Sequence, residues 1–191
     1  YGDIPWNDLT YFAGVDPATG EAESSNPDEY VIAYGARDSR GYGYVLGVRG
    51  SSDWGLLEGT KQLELLNRER SFRRVAVESV SFQVAAKQHI WAETGIPAYK
   101  SNTTKSKAVR FETMAGHFEI KRVVIFEKGE GIFGEDEDEN FYDQWIDFDE
   151  GRHDDRLDSV EKAVEAAMIS ATVPQEKTDR VREALSKASF G

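Results

Sequence analysis

Residues 151–163, GRHDDRLDSVEKA, crowd Asp154, Asp155 and Asp158 into little more than one helical turn, directly after His153. Like charges at that spacing repel and weaken a helix, so the crowding calls for a counter-charge. On a helix Asp155 and Asp158 stand at i, i+3 and Asp154 and Asp158 at i, i+4, and either pair can share a face. Two more acids close apolar runs: Asp16 ends TYFAGVD and Glu78 follows RRVAV. Sites in open α/β sheets form outside the carboxyl ends of the strands. On neighbouring strands these two carboxylates would lie about 5 Å apart and repel unless a cation sat between them. Such a set of hard oxygen donors suits Mg²⁺ or Mn²⁺. Two such ions about 4 Å apart stabilise the attacking and leaving oxygens of phosphodiester hydrolysis. Each acid alone has an ordinary reading: Asp16 before Pro17 as a turn former, Glu78 as an exposed residue, Asp154 or Asp155 as a helix cap. Their joint occurrence points to a site.

The elements that must hold these acids can be read from periodicity. Residues 10–16, 29–37 and 42–50 read as strands, with DSRG as the turn between the second and third. PATGEAESSNP (17–27) is dense in turn residues and reads as a loop. Trp54, Leu57, Lys61, Leu65 and Arg68 fall at helical spacing over 53–71, with Asp53 as the expected N-cap. A strand over 73–79 follows, then a helix over 80–95 closed by Gly95, then a short strand, IPAYK. Residues 105–119 place Val109, Phe111, Met114, Ala115 and Phe118 on one helical face, and KRVVIF (121–126) reads as a strand. The stretch 127–150 reads as an acidic loop or hairpin with a short helix near NFYDQWIDF. Leu157, Val160, Val164 and Met168 make the stripe of a helix over 154–172, and Pro174 opens a last helix, 174–188. Three strands in succession, then alternating helices and strands, predict an α/β fold with a mixed central sheet flanked by helices.

The chain of 191 residues has no cysteine, which excludes disulfides and Cys-ligated zinc, and no apolar run long enough to span a membrane. Its net charge of −12 is concentrated, because residues 127–158 hold 14 acidic and 3 basic side chains. The rest is close to neutral, with basic patches at 99–122 and at RERSFRR (68–74). Lys105, Lys107 and Arg110 precede or begin a helix, where they could contact phosphates without reading sequence. The arginines at 68–74 read instead as exposed or paired with Glu64 and Glu69.

FAGVDPATG, RRVAVESVSFQ, KSNTTKSKAVRFETMAGHFEIKRVVIF and GRHDDRLDSVEKA together resemble the nuclease domain of the large terminase subunit of tailed bacteriophages, across roughly residues 10–170. The most specific part is H-D-D-x-x-D followed by a small residue, here His153, Asp154, Asp155, Asp158 and Ser159. The resemblance implies an RNase H-like fold, related to that of Holliday-junction resolvases, with the acidic insert before the last catalytic helix. It implies a single nuclease domain over 1–191, with a core of about 10–172. The implied activity is a divalent-metal-dependent endonuclease that cuts concatemeric viral DNA during genome packaging, with two Mg²⁺ or Mn²⁺. The implied catalytic and metal-binding residues are Asp16, Glu78 and Asp158 with Asp155, or with Asp154 in its place; His153 and Asp28 would support them. The implied partners are double-stranded DNA, the packaging ATPase domain of the same protein, the small terminase subunit and the portal, in the host cytoplasm and away from membranes. No G-x-x-x-x-G-K-[ST] loop is present, so the packaging ATPase is not expected within these residues. An acidic loop at 134–140 beside the site is expected to restrain cleavage by repelling DNA.

Two other nuclease types, resolvase and transposase, share the expected fold, but the H-D-D-x-x-D motif and the acidic insert argue against them. GVDPATG also loosely resembles the phosphate loop of actin-like ATPases, which need a second such loop and a second domain.

Overall fold

The computed structural model describes residues 6–17, 29–77, 83–101, 105–125, 139–146, 148 and 154–169. Six strands form one mixed sheet: β1 (Thr10–Asp16), β2 (Tyr30–Arg37), β3 (Gly43–Ser51), β4 (Arg74–Val77), β5 (Ala98–Lys100) and β6 (Val123–Ile125), in the order β5-β4-β1-β2-β3-β6. The first three make an antiparallel meander, β4 and β5 add in parallel beside β1, and β6 adds in parallel to β3. The expected α/β class and strand succession are therefore present.

Alternation along the strands separates two cores. Ala13, Val15, Ile32, Tyr34, Val75 and Val77 face α1 (Leu56–Arg70) and α2 (Gln83–Thr94), meeting Leu63, Leu66 and Ile90. On the other face Val31, Ala33, Val45 and Val48 meet α3 (Lys107–Glu119), α4 (Glu139–Ile146) and α5 (Asp155–Ile169) through Phe111, Phe141, Leu157, Val160 and Val164. Phe12 and Ala76 complete that face against Ala166 and Ala167. The expected stripe of α5 is thus the stripe it buries. Among the described residues no helix is long and apolar enough to cross a membrane.

Two local expectations are corrected. α1 is capped by Gly55, not Asp53, and Gly55 has no side chain to bond the first-turn amides; the helix begins two residues later than its apolar spacing suggests. Val109 is 42% exposed, and Arg110 takes the buried position beside Phe111 and Met114. A charged residue with buried carboxylate partners outcompeted an apolar one for that face, which periodicity alone does not anticipate.

α5 crosses β1 at Gly14. A β carbon there would lie 2.2 Å from the Ser159 carbonyl oxygen and 2.4 Å from the Ala163 amide nitrogen. Both are backbone atoms, so neither can swing aside. The β2–β3 turn is fixed differently. Asp38, 4% exposed, accepts hydrogen bonds from the Tyr42 amide at 2.9 Å, Tyr44 Oη at 3.0 Å and Arg40 Nε at 2.8 Å. Burial opposes ionisation of Asp38, but these donors outweigh it and hold its carboxyl below the ordinary value of 3.8.

Gly14→Ala should cost about 3 kcal/mol or more, read as a lower urea midpoint, because the overpacking cannot relax. A loss below about 1 kcal/mol would contradict the close approach. Asp38→Asn should cost about 1–3 kcal/mol at neutral pH. Because the folded pKa is depressed, that contribution is present above pH 3.8 and is lost as pH falls through the lower folded value. Unfolding curves of the two proteins should therefore converge in acid.

Candidate functional site

The carboxyl end of β1 and the first turn of α5 meet at one end of the sheet. Asp16 is the last residue of β1, pairs with Val31 across the ladder, and shares the strand parity of Phe12 and Gly14, which face α5. β4 pairs with β1 up to Val15↔Val77. Glu78, the next residue in the chain, lies outside the described residues, as do His153 and Asp28.

Four contacts set α5 over this end. Ser159 Oγ accepts from the Ala33 amide at 2.9 Å and lies 2.9 Å from the Gly14 carbonyl oxygen and 3.2 Å from that of Val31. Gln144 of α4 accepts from the amides of Arg156 and Leu157 at 3.0 and 3.3 Å, satisfying donors that a helix start leaves unpaired. The Glu29 amide, just before β2, donates to Asp155 Oδ2 at 3.3 Å. Arg156 Nη2 reaches the Glu29 carboxylate at 2.9 Å. Burial pulls the Arg156 pKa down, against the pull of that carboxylate.

The aspartates divide between two settings. Asp155 turns to the start of β2, while Asp154 and Asp158 share the Lys107 ammonium, which donates to both. Partial burial disfavours the charged ammonium, but the two carboxylates outweigh it and hold Lys107 above its ordinary pKa. Asp158, 2% exposed, also accepts from Arg110 Nη2 at 3.4 Å. Arg110 Nη1 donates to Glu161 Oε2 at 2.7 Å, and the same oxygen takes the ammonium of the fully buried Lys162.

α3 therefore delivers two cations onto the acidic turn of α5. Of the expected phosphate-contacting residues, Lys107 and Arg110 face these carboxylates, and Lys105 is exposed just before α3. The paired arginines follow the expectation in part: Arg68 meets Glu64 at 2.6 Å and Arg70 meets Glu69 at 2.7 Å. Arg70 also lies over the Tyr34 ring, and Arg74 bonds the Ala166 carbonyl. Among the described residues, no three acidic or histidine side chains are grouped closely enough to enclose a metal ion.

Sequence reasoning missed Ser159 as a clamp, Gln144 as a cap and the Glu161–Lys162 pair. One signal was available for Ser159, the small residue after H-D-D-x-x-D. None singles out Gln144.

A mixed six-stranded sheet, with a helix laid across β1 and an acid at that strand's carboxyl end, defines the RNase H-like fold. Among solved structures it is that of terminase nuclease domains. The human cytomegalovirus terminase nuclease domain, soaked with Mn, matches at 14% identity over 87% of each chain, with a TM-score of 0.56. The large terminase nuclease from thermophilic phage G20c matches at 16% identity over 83% of each chain, also with a TM-score of 0.56. At these identities the likeness is one of fold. No family model matches the sequence, and no curated protein matches it.

Glu161→Gln should cost about 3–5 kcal/mol, because it leaves the buried Lys162 and Arg110 facing a neutral amide. Arg110→Gln should cost less, since Lys162 still pairs with Glu161 and Lys107 with Asp158. Denaturant unfolding of the two variants reads the order, and the reverse order would show that Glu161 is not the shared partner.

Proposed function

We propose that this chain is a divalent-metal-dependent endodeoxyribonuclease of the terminase type, cutting concatemeric viral DNA during packaging. The observation that carries the reading is the Asp154–Asp158 pair, set by the Ser159 clamp at the carboxyl end of the strand that bears Asp16. That pair already holds a cation, the Lys107 ammonium, and its hard oxygens suit Mg²⁺ or Mn²⁺ equally well. Asp16, Asp155, Asp158 and Asp154 would serve as ligands. Glu78 joins them in this reading because it follows Val77, the β4 partner of the residue before Asp16. Bound ions would polarise the scissile phosphodiester and lower the pKa of the attacking water.

The chain's own groups divide the remaining work. Arg110 holds Asp158 and Glu161 in place, leaving the exposed Lys105 as the phosphate contact at the start of α3. Lys107 must yield Asp154 and Asp158 when metal binds, and its ammonium is then free for a phosphate oxygen. His153 and Asp28 would support the ligands. The substrate is double-stranded DNA, and the partners in this reading are the packaging ATPase domain of the same protein, the small terminase subunit and the portal. A resolvase-type nuclease is the alternative on the same fold.

The test is nicking of supercoiled plasmid with Mn²⁺, Mg²⁺ or EDTA, beside calorimetric titration of Mn²⁺. Nicking should require metal and fall at least about a hundredfold in Asp16→Asn and Asp158→Asn. Mn²⁺ binding should weaken in both and on acidification, as the carboxylates protonate. Equal nicking in EDTA, or by Asp16→Asn, would overturn the reading, as would ATP hydrolysis without cleavage.

A further inference from the structure

At the opposite end of the sheet the charge balance reverses. Arg37 ends β2, Arg40 and Tyr42 lie in and just after the β2–β3 turn, and Arg122 precedes β6, with its carbonyl accepting from the Gly43 amide at 2.9 Å. Gly41, at φ 89°, lets the chain pass beneath two guanidiniums. The Nη2 atoms of Arg122 and Arg37 lie 2.7 and 2.8 Å from where a β carbon on Gly41 would project. The Tyr42 ring, 40% exposed, carries Arg122 at 5.3 Å and Arg40 at 5.5 Å from its centroid. Lys121 is exposed beside them. The nearby carboxylate, Asp38, is spent on Arg40 and on the Tyr42 and Tyr44 donors. Among the described residues neither Arg37 nor Arg122 forms an ion pair with a carboxylate, and the buried Arg37 Nε has no hydrogen-bond partner. Burial and the neighbouring Arg122 charge lower the Arg37 pKa, against the pull of the Asp38 carboxylate. One carboxylate among these cations leaves the cluster with a net positive charge, and adjacent like charges are costly to hold.

We infer that Arg37, Arg40, Arg122 and Tyr42 form a docking site for an acidic protein segment. Guanidinium forks bind carboxylates in bidentate fashion, and arginine and tyrosine dominate the energetics of protein interfaces. Nucleic acid fits this patch less well. Sequence-independent duplex binding gains affinity with each phosphate neutralised along the backbone, and here four cations stand in one cluster, not along a track. The patch also lies at the far end of the β1–β2 ladder, where Thr10 pairs with Arg37, roughly 20 Å from the Asp16↔Val31 end. An acidic segment of another protein, with the composition of GEDEDEN, residues 134–140 of this chain, has the required charge. The inference is independent of the nuclease reading.

The test uses fluorescein-labelled GEDEDEN peptide and the whole chain, with anisotropy read at low salt. Binding should weaken as salt rises and fall about tenfold in Arg37→Ala/Arg122→Ala. Arg37→Lys/Arg122→Lys keeps the charge but loses the forks, and should fall by a smaller factor; Tyr42→Ala should also weaken binding. Thermal unfolding confirms that each variant is folded. Equal binding to the double alanine variant would overturn the proposal. So would a 20-base-pair duplex that depends on these arginines while the peptide does not bind. Plasmid nicking by the double alanine variant should match the unchanged chain, so failure of the nuclease reading and failure of this one are separable.

Discussion

The passage of α5 over β1 at Gly14 is the constraint on which the site depends. Helix and strand backbones touch there with no side chain between them, and Ser159 Oγ bonds into the sheet from the same point. A helix packed through side chains could slide or roll by fractions of an ångström. One held by backbone contact and a hydroxyl among Gly14, Val31 and Ala33 has its height and rotation set together. Ser159 follows Asp158 directly, so the clamp positions the acidic turn with almost no lever arm. Glu29 and Gln144 then tie the helix start from two other elements.

That placement explains how three aspartates persist on one turn. Their repulsion is met by α3, whose Lys107 and Arg110 enter from the side, and by Glu29, whose amide takes Asp155. The compensation is between elements and not along the helix, so it exists only once α3 and α5 have packed. Each carboxylate is held by a donor from another element, and two of them share the tethered Lys107 ammonium. Any external cation therefore enters by exchange, not by filling an open place.

Much of this was legible in residue order and period. Six strands, the helical stripe of Leu157, Val160 and Val164, and the Gly95 stop, at φ 68°, follow from patterns that local chemistry enforces. The acids at 154, 155 and 158 were legible as a group because their spacing is local. What periodicity could not show was partnership. Arg110 and Glu161 are 51 residues apart, and Gln144 and Arg156 belong to different helices. A cation on α3 reads equally well as a phosphate contact or as a partner for buried acid. Only the fold's choice of which helix faces which decides between them. Val109 and Arg110 illustrate the point: the more apolar residue took the exposed position because buried carboxylates waited on the other face.

The two ends of the sheet differ because the topology assigns them different connections. β1, β3, β4, β5 and β6 all run toward the acidic end, and β2 runs away from it. At the other end the links are tight. All four positive-φ residues among those described, Ser71, Gly95, Lys121 and Gly41, lie there, three in the turns that feed β4, β5 and β6 and one between β2 and β3. Tight turns with defined backbone hold side chains at low entropic cost, which favours rigid recognition by Arg37, Tyr42 and Arg122. The sheet has an acidic end and a basic end about 20 Å apart, joined by the β1–β2 ladder.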